Sequence, residues 1–170
     1  KLGLPGTRTG IVVGPPEIAS AMGSMTAITG LANGNLGQQL VLFWLQSGEI
    51  LRLGREILLP FYQARSLAIQ EQMREIFNRQ GLKWYVHASE GAFFHWLWFP
   101  ELPISTREFY ERLKARKVLV VPGEYFFFGL GEDWPQSRQC IRLNFSQPEE
   151  KVLAALKIIA AVASGHDPDN

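Results

Sequence analysis

Apolar residues recur at helical spacing through most of the chain up to about residue 80, and short β-prone runs take over after Gly81. Before the first helix, Ile11 to Val13 is a short apolar run bounded by Gly10 and Gly14, which predicts a buried strand. Pro15 and Pro16 follow. Proline costs little in a first helical turn, where its missing N–H has no partner anyway, and Ile18, Met22, Met25 and Ile28 predict a helix from Glu17 to about Thr29, ended by Gly30. A Gly/Asn-rich connection leads to a second apolar helix over about Leu36 to Gln46, closed by Ser47-Gly48. Its run Leu40 to Leu45 is too wide for one buried stripe and predicts a second covering surface. The longest helical signal covers Glu49 to Gln80, with Ile50, Leu53, Ile57, Leu58, Phe61, Leu67, Ile69, Met73 and Phe77 mostly on one apolar stripe. Pro60 lies inside it and predicts a kink or break near residues 56 to 60.

Beyond Gly81, Lys83 to Ser89 and Ala92 to Phe99 read as two connected strands separated by Glu90-Gly91. Ser105-x-x-Glu108 is a capping box for a helix reaching about Lys117. Val118 to Val121 reads as an apolar strand ended by Pro122-Gly123, and Gln139 to Phe145 as the next strand. Ser146-x-x-Glu149 is a second capping box, opening an amphipathic helix through Leu153, Leu156, Ile159 and Val162 that stops before Gly165. The order is loop, strand, three helices, then β-β-α-β-β-α, and the second half is an α+β unit.

Composition narrows the class. The 170 residues carry 17 Lys and Arg against 16 Asp and Glu, with 46% apolar residues, the profile of a globular protein with no electrostatic reason to expect nucleic acid or an anionic membrane as partner. The apolar stretches around Ala92 to Phe99 and Val152 to Ala163 are too short to span a bilayer and are broken by His95 and Lys157. The start lacks a basic and apolar leader and an initiating Met, so the expectation is part of a larger protein with no secretory signal. Cys140 is the lone cysteine, which favours a reducing, cytoplasmic setting, and with three scattered histidines it offers no zinc-ligand spacing, so no metal site is expected.

Candidate chemistry is sparse. In the strand from Gln139 to Phe145, alternation places Ile141, Leu143 and Phe145 on one face and Cys140, Arg142 and Asn144 on the other. Arg142 therefore reads either as a solvated arginine or as a guanidinium aimed at an anion, since its planar fork matches a carboxylate. Lys1 and Arg8 stand on a Gly/Pro-rich turn, Lys1 to Gly10, which is either a flexible basic end or a close approach to a phosphate. His87, His95 and His166 share no helix face and read as structural or surface residues. The aromatics from Phe93 to Phe99 read as core, with one strand face open to a branched aliphatic side chain.

Several segments, in order, carry a family resemblance. Lys1-Leu-Gly-Leu-Pro-Gly-Thr-Arg8-Thr-Gly resembles the lysine segment of the fold-type I pyridoxal-phosphate aminotransferases. Glu90-Gly-Ala-Phe-Phe-His-Trp-Leu-Trp-Phe99 and Val118-Leu-Val-Val-Pro-Gly123 resemble strands of their small domain, and Cys140-Ile-Arg142-Leu-Asn-Phe-Ser146 the strand bearing the substrate-carboxylate arginine. Arg55-Glu-Ile-Leu-Leu-Pro-Phe-Tyr62, the Trp96-Leu-Trp98 run, Leu102-Pro-Ile-Ser-Thr106, Tyr110-Glu-Arg-Leu-Lys-Ala-Arg116 and Pro122-Gly-Glu-Tyr-Phe-Phe-Phe-Gly-Leu130 are similar to the valine-pyruvate aminotransferase family.

The resemblance implies an α/β fold: the end of the large domain over residues 1–48, a connecting helix over 49–80, and an α+β small domain over 81–170 with a mainly antiparallel sheet. It implies pyridoxal 5'-phosphate as cofactor, with Lys1 as the catalytic, cofactor-bearing lysine, Arg8 on the cofactor phosphate and Arg142 on the substrate carboxylate. The implied reaction exchanges the amino group of valine, or a similar aliphatic amino acid, with pyruvate in a cytoplasmic homodimer. Family groups that face the cofactor ring would lie upstream of Lys1, so the 170-residue chain alone is expected to be inactive. An aminotransferase-like domain of a transcriptional regulator, or an aminotransferase of other specificity, remains as an alternative.

Overall fold

The computed structural model describes residues 6, 9–30, 34–129 and 134–166. The backbone divides into two units, Lys1–Leu59 and Pro60–Asn170.

In the first unit, helix α1 (Pro16–Gly30) begins with proline in its first turn, and the Pro15 carbonyl accepts the N–H groups of Ile18 and Ala19 at 3.0 and 3.1 Å. Helix α2 spans Leu36–Gln46, as its periodicity predicts, and leaves Leu40, Leu42 and Phe43 exposed within this chain. Helix α3 (Glu49–Arg52) runs into a π-helical turn, Leu53–Leu58. Residues Ile11 to Val13 differ from expectation: they are exposed and belong to no strand. An apolar run becomes a strand only when a neighbour takes up its backbone hydrogen bonds, and no described residue does so here.

Helix α4 (Leu59–Arg79) resumes α-geometry directly after the π turn. The expected break at Pro60 takes this form because a proline has no N–H to return and its ring would press on the carbonyl four residues earlier; a wider turn placed just before it relieves both. Gly81, with φ +67°, ends the helix, and the Leu82 N–H returns to the Phe77 carbonyl at 3.1 Å.

The second unit holds a four-stranded antiparallel sheet in the order β1-β2-β4-β3, where β1 is Tyr85–Val86, β2 Phe94–Trp98, β3 Val121–Pro122 and β4 Cys140–Asn144. Helix α5 (Thr106–Ala115) joins β2 to β3, and helix α6 (Glu149–Ala163) follows β4. The β-β-α-β-β-α order is therefore the one the sequence predicts. The strands are shorter than their apolar runs. Val118 and Val120 are buried and Leu119 exposed, a strand-like alternation, yet only Val121 and Pro122 enter the ladder. Pro122 fits there because β3 is an edge strand.

Ile69, Met73 and Phe77 of α4 bury one stripe into a core shared with Leu97, Ile141 and Leu143 of the sheet, Phe109 and Leu113 of α5, and Leu156 and Ile159 of α6. Two aromatic contacts fix the centre, Phe77 to Phe99 at 5.7 Å and Phe99 to Phe109 at 6.1 Å between ring centroids. The capping boxes behave differently. Ser105 Oγ accepts the Glu108 N–H at 3.2 Å, whereas Pro148 caps α6 and no side chain bonds its first turn. Among the described residues, no helix is long and apolar enough to cross a membrane.

Candidate functional site

The register of the sheet puts Phe94 opposite Asn144, Trp96 opposite Arg142 and Trp98 opposite Cys140, so these six side chains share the face turned away from Leu97, Ile141 and Leu143. Val121 of β3 flanks Arg142 on the other side. Arg142 is thus central on a half-open aromatic surface. Its guanidinium carbon lies 4.3 Å from the Phe94 ring centroid and 5.1 Å from that of Phe126. Among the described residues it makes no ion pair.

Phe126 reaches this face from the 3-10 turn Gly123–Phe126. That turn needs a glycine at its start: a Cβ on Gly123 would lie 2.7 Å from the Cys140 carbonyl oxygen, 2.9 Å from its Cβ and 3.0 Å from the Ser137 carbonyl oxygen. The close approach carries the chain over β4, and Trp96 meets Phe126 edge-on at 5.1 Å. Trp98 donates its indole N–H to Gln139 Oε1 at 3.0 Å, while the Gln139 amide donates to the Pro100 carbonyl at 2.9 Å.

Cys140 is buried, and burial pushes its thiol up to about 11 against a smaller opposing effect of Trp96. A raised thiol of this kind is neutral at pH 7, the setting of a structural rather than a reactive cysteine. His95 lies on the core side of β2, fully buried, with Nε2 3.5 Å from Ser66 Oγ and its ring 4.5 Å from Phe145. Burial lowers its pKa to about 4. Lys83 Nζ is 2.8 Å from Glu101 Oε1, and that hydrogen bond raises its pKa.

Of the residues singled out in the sequence, Arg142 has the placement just given, and Lys1 and Arg8 lie outside the described residues. Phe94 and Phe126 were not readable as its neighbours. Their signal, the aromatic runs Phe93 to Phe99 and Tyr125 to Phe128, is indistinguishable from core until the register is known.

An arginine on a half-exposed aromatic face, without a carboxylate partner among the described residues, can receive one from a ligand through both prongs of its fork. Residues 1–159 match the family model for aminotransferase class I and II. The chain belongs to this family. It is 42% identical over 163 residues to the valine–pyruvate aminotransferase of Escherichia coli (strain K12), covering 94% of this chain and 38% of that protein. The crystal structure of valine-pyruvate aminotransferase from Salmonella typhimurium LT2 superposes with a TM-score of 0.84 at 38% identity, over 98% of this chain and 43% of that one. The α-aminoadipate aminotransferase of Thermus thermophilus, solved with N-(5'-phosphopyridoxyl)-L-leucine, shares the fold with a TM-score of 0.73 at 21% identity, over 97% of this chain and 40% of that one. The chain thus spans about two-fifths of the length of these relatives. The α/β fold implied by the resemblance is that of the fold-type I aminotransferases, and the family is pyridoxal-phosphate dependent.

Proposed function

We propose that the enzyme carrying this sequence is a pyridoxal-phosphate-dependent aminotransferase that exchanges the amino group of valine, or a similar aliphatic amino acid, with pyruvate to give 3-methyl-2-oxobutanoate and alanine. The similarity to two valine-pyruvate aminotransferases supports the substrates. One observation carries the role of this chain: Arg142 stands among aromatic rings without an acidic partner among the described residues.

The donor set fits the cofactor chemically. Lys1 offers a primary amine for an aldehyde and Arg8 a guanidinium for a phosphate. When bound, pyridoxal phosphate supplies the electron sink for the substrate's α-carbon. With it in place, Arg142 would bind the α-carboxylate and fix the direction of the Cα–H bond, and the Lys1 amine would hold the cofactor's aldehyde and serve as the base that moves the α-proton. Lys83 is a poor rival for the covalent role, because its ammonium is solvent-exposed and paired with Glu101, which raises rather than lowers its pKa.

In this reading residues 1–48 close the large domain, 49–80 form the connecting helix and 81–170 the small domain. The exposed Leu40, Leu42 and Phe43 support a further covering surface, from the large domain or a second copy in a homodimer. The lone Cys140 supports the cytoplasm.

The test is Arg142→Lys in the intact enzyme. Lysine keeps the charge and loses the fork, so kcat/KM should fall tenfold to a hundredfold for valine and alanine alike, about 1.4–2.7 kcal/mol, with cofactor content unchanged. Borohydride reduction and peptide mapping should place the pyridoxyl group on Lys1. Unchanged rates would leave Arg142 a solvated sheet arginine, and label on Lys83 would remove Lys1 from its role.

A further inference from the structure

The aromatic surroundings of Arg142 suggest how its guanidinium is held before a substrate arrives. An arginine side chain has four rotatable bonds, and one that must receive a carboxylate in a single direction benefits from being held in advance. Ion pairing with a neighbouring carboxylate would fix it but would also compete with the substrate. Among the described residues no carboxylate does this. Two rings lie there instead: Phe94 comes from β2, on one side of β4, and Phe126 from the turn that continues β3, on the other. Their centroids are 4.3 and 5.1 Å from the guanidinium carbon, both within cation–π range. A ring face attracts the cation without occupying the in-plane N–H donors that a carboxylate needs.

The second ring is itself supported. Trp96, directly opposite Arg142 in the ladder, meets Phe126 edge-on at 5.1 Å and Phe127 at 5.9 Å. Gly123 lets the turn bearing Phe126 approach β4 closely enough to place that ring.

We propose that Phe94 and Phe126 are positioning residues for carboxylate recognition, holding the Arg142 guanidinium by cation–π contact so that its fork stays free for the substrate. This rests on the reading of Arg142 as the carboxylate-binding residue, and it assigns the two rings a part in substrate affinity rather than in cofactor binding.

The experiment uses the holoenzyme and an unreactive monocarboxylate, 3-methylbutanoate, as a competitive probe, with Phe94→Leu, Phe126→Leu, Phe126→Tyr and Arg142→Lys variants. Each leucine variant should raise the inhibition constant of the probe, and KM for valine and pyruvate, by about threefold to tenfold. Cofactor content and thermal midpoint should stay near the parent values for Phe126→Leu, since Phe126 is 42% exposed. Phe126→Tyr keeps the ring face and should restore parent affinity, while the unchanged thermal midpoint and cofactor content of Phe126→Leu set its affinity loss apart from a loss of packing. Should Phe94→Leu fail to fold, the Phe126 pair decides. An unchanged inhibition constant in Phe126→Leu, with a raised one in Arg142→Lys, would overturn the positioning role and leave the reading of Arg142 standing. An unchanged constant in Arg142→Lys would overturn that reading itself.

Discussion

Arg65 Nε donates a hydrogen bond to the Phe145 carbonyl at 2.7 Å, and its Nη2 donates to the Gln147 carbonyl. One side chain of α4 thereby takes two carbonyls of the segment that leaves β4, starting three residues after Arg142. Phe145 is buried and its N–H donates to the Phe93 carbonyl at 3.1 Å, so the end of β4 is held on both backbone groups.

Arg65→Ala should therefore cost about 2 kcal/mol, because the Phe145 carbonyl loses a charged donor in a place with little water to replace it. Urea unfolding of parent and variant at pH 7 measures it, and a difference under about 0.5 kcal/mol would mean that solvent satisfies this carbonyl equally well.

His95 should make the protein acid-sensitive. It is fully buried, its Nδ1 has no hydrogen-bond partner among the described residues, and burial lowers its pKa from 6.5 to about 4. The unfolded chain binds a proton below about pH 6.5 and the folded one only near pH 4, so stability is complete above the unfolded value and is lost as pH falls through this window. The loss amounts to roughly 3 kcal/mol by pH 4. Denaturant titrations from pH 7 to 4 should show this slope in the parent and not in His95→Gln; equal slopes would place the acid sensitivity elsewhere.

Gly123→Ala should destabilise the second unit by about 2–3 kcal/mol, because two of the three atoms its Cβ would crowd are backbone carbonyl oxygens, which cannot rotate away as the end of a side chain can. A thermal midpoint within 1 °C of the parent would show that the turn shifts without cost.

The two serine boxes should separate under mutation. Ser105→Ala removes the hydroxyl that accepts the Glu108 N–H and should cost about 1 kcal/mol. Ser146→Ala should be nearly neutral, since no side-chain hydrogen bond caps α6. Equal losses at the two sites, measured by chemical denaturation, would contradict the difference in capping.

Local chemistry alone determined much of this protein. The periodicity of Ile69, Met73 and Phe77, the proline start of α1, the Ser105 cap and the alternation of Ile141, Arg142 and Leu143 act over a few residues, and each was legible in the sequence for that reason. The family was legible as well, because several segments carry its pattern in order. Tertiary structure decided the rest. Ile11 to Val13 has a strand's composition and no strand, since a ladder needs a partner that composition does not supply. Ser146-x-x-Glu149 has the letters of a capping box, yet α6 begins after Pro148 with no side-chain cap. The rings of Phe94 and Phe126 lie beside Arg142 because an antiparallel register and the close approach at Gly123 bring residues far apart in the chain onto one face. Register is a long-range property, set by which strands pair and where they turn, and no local pattern contains it.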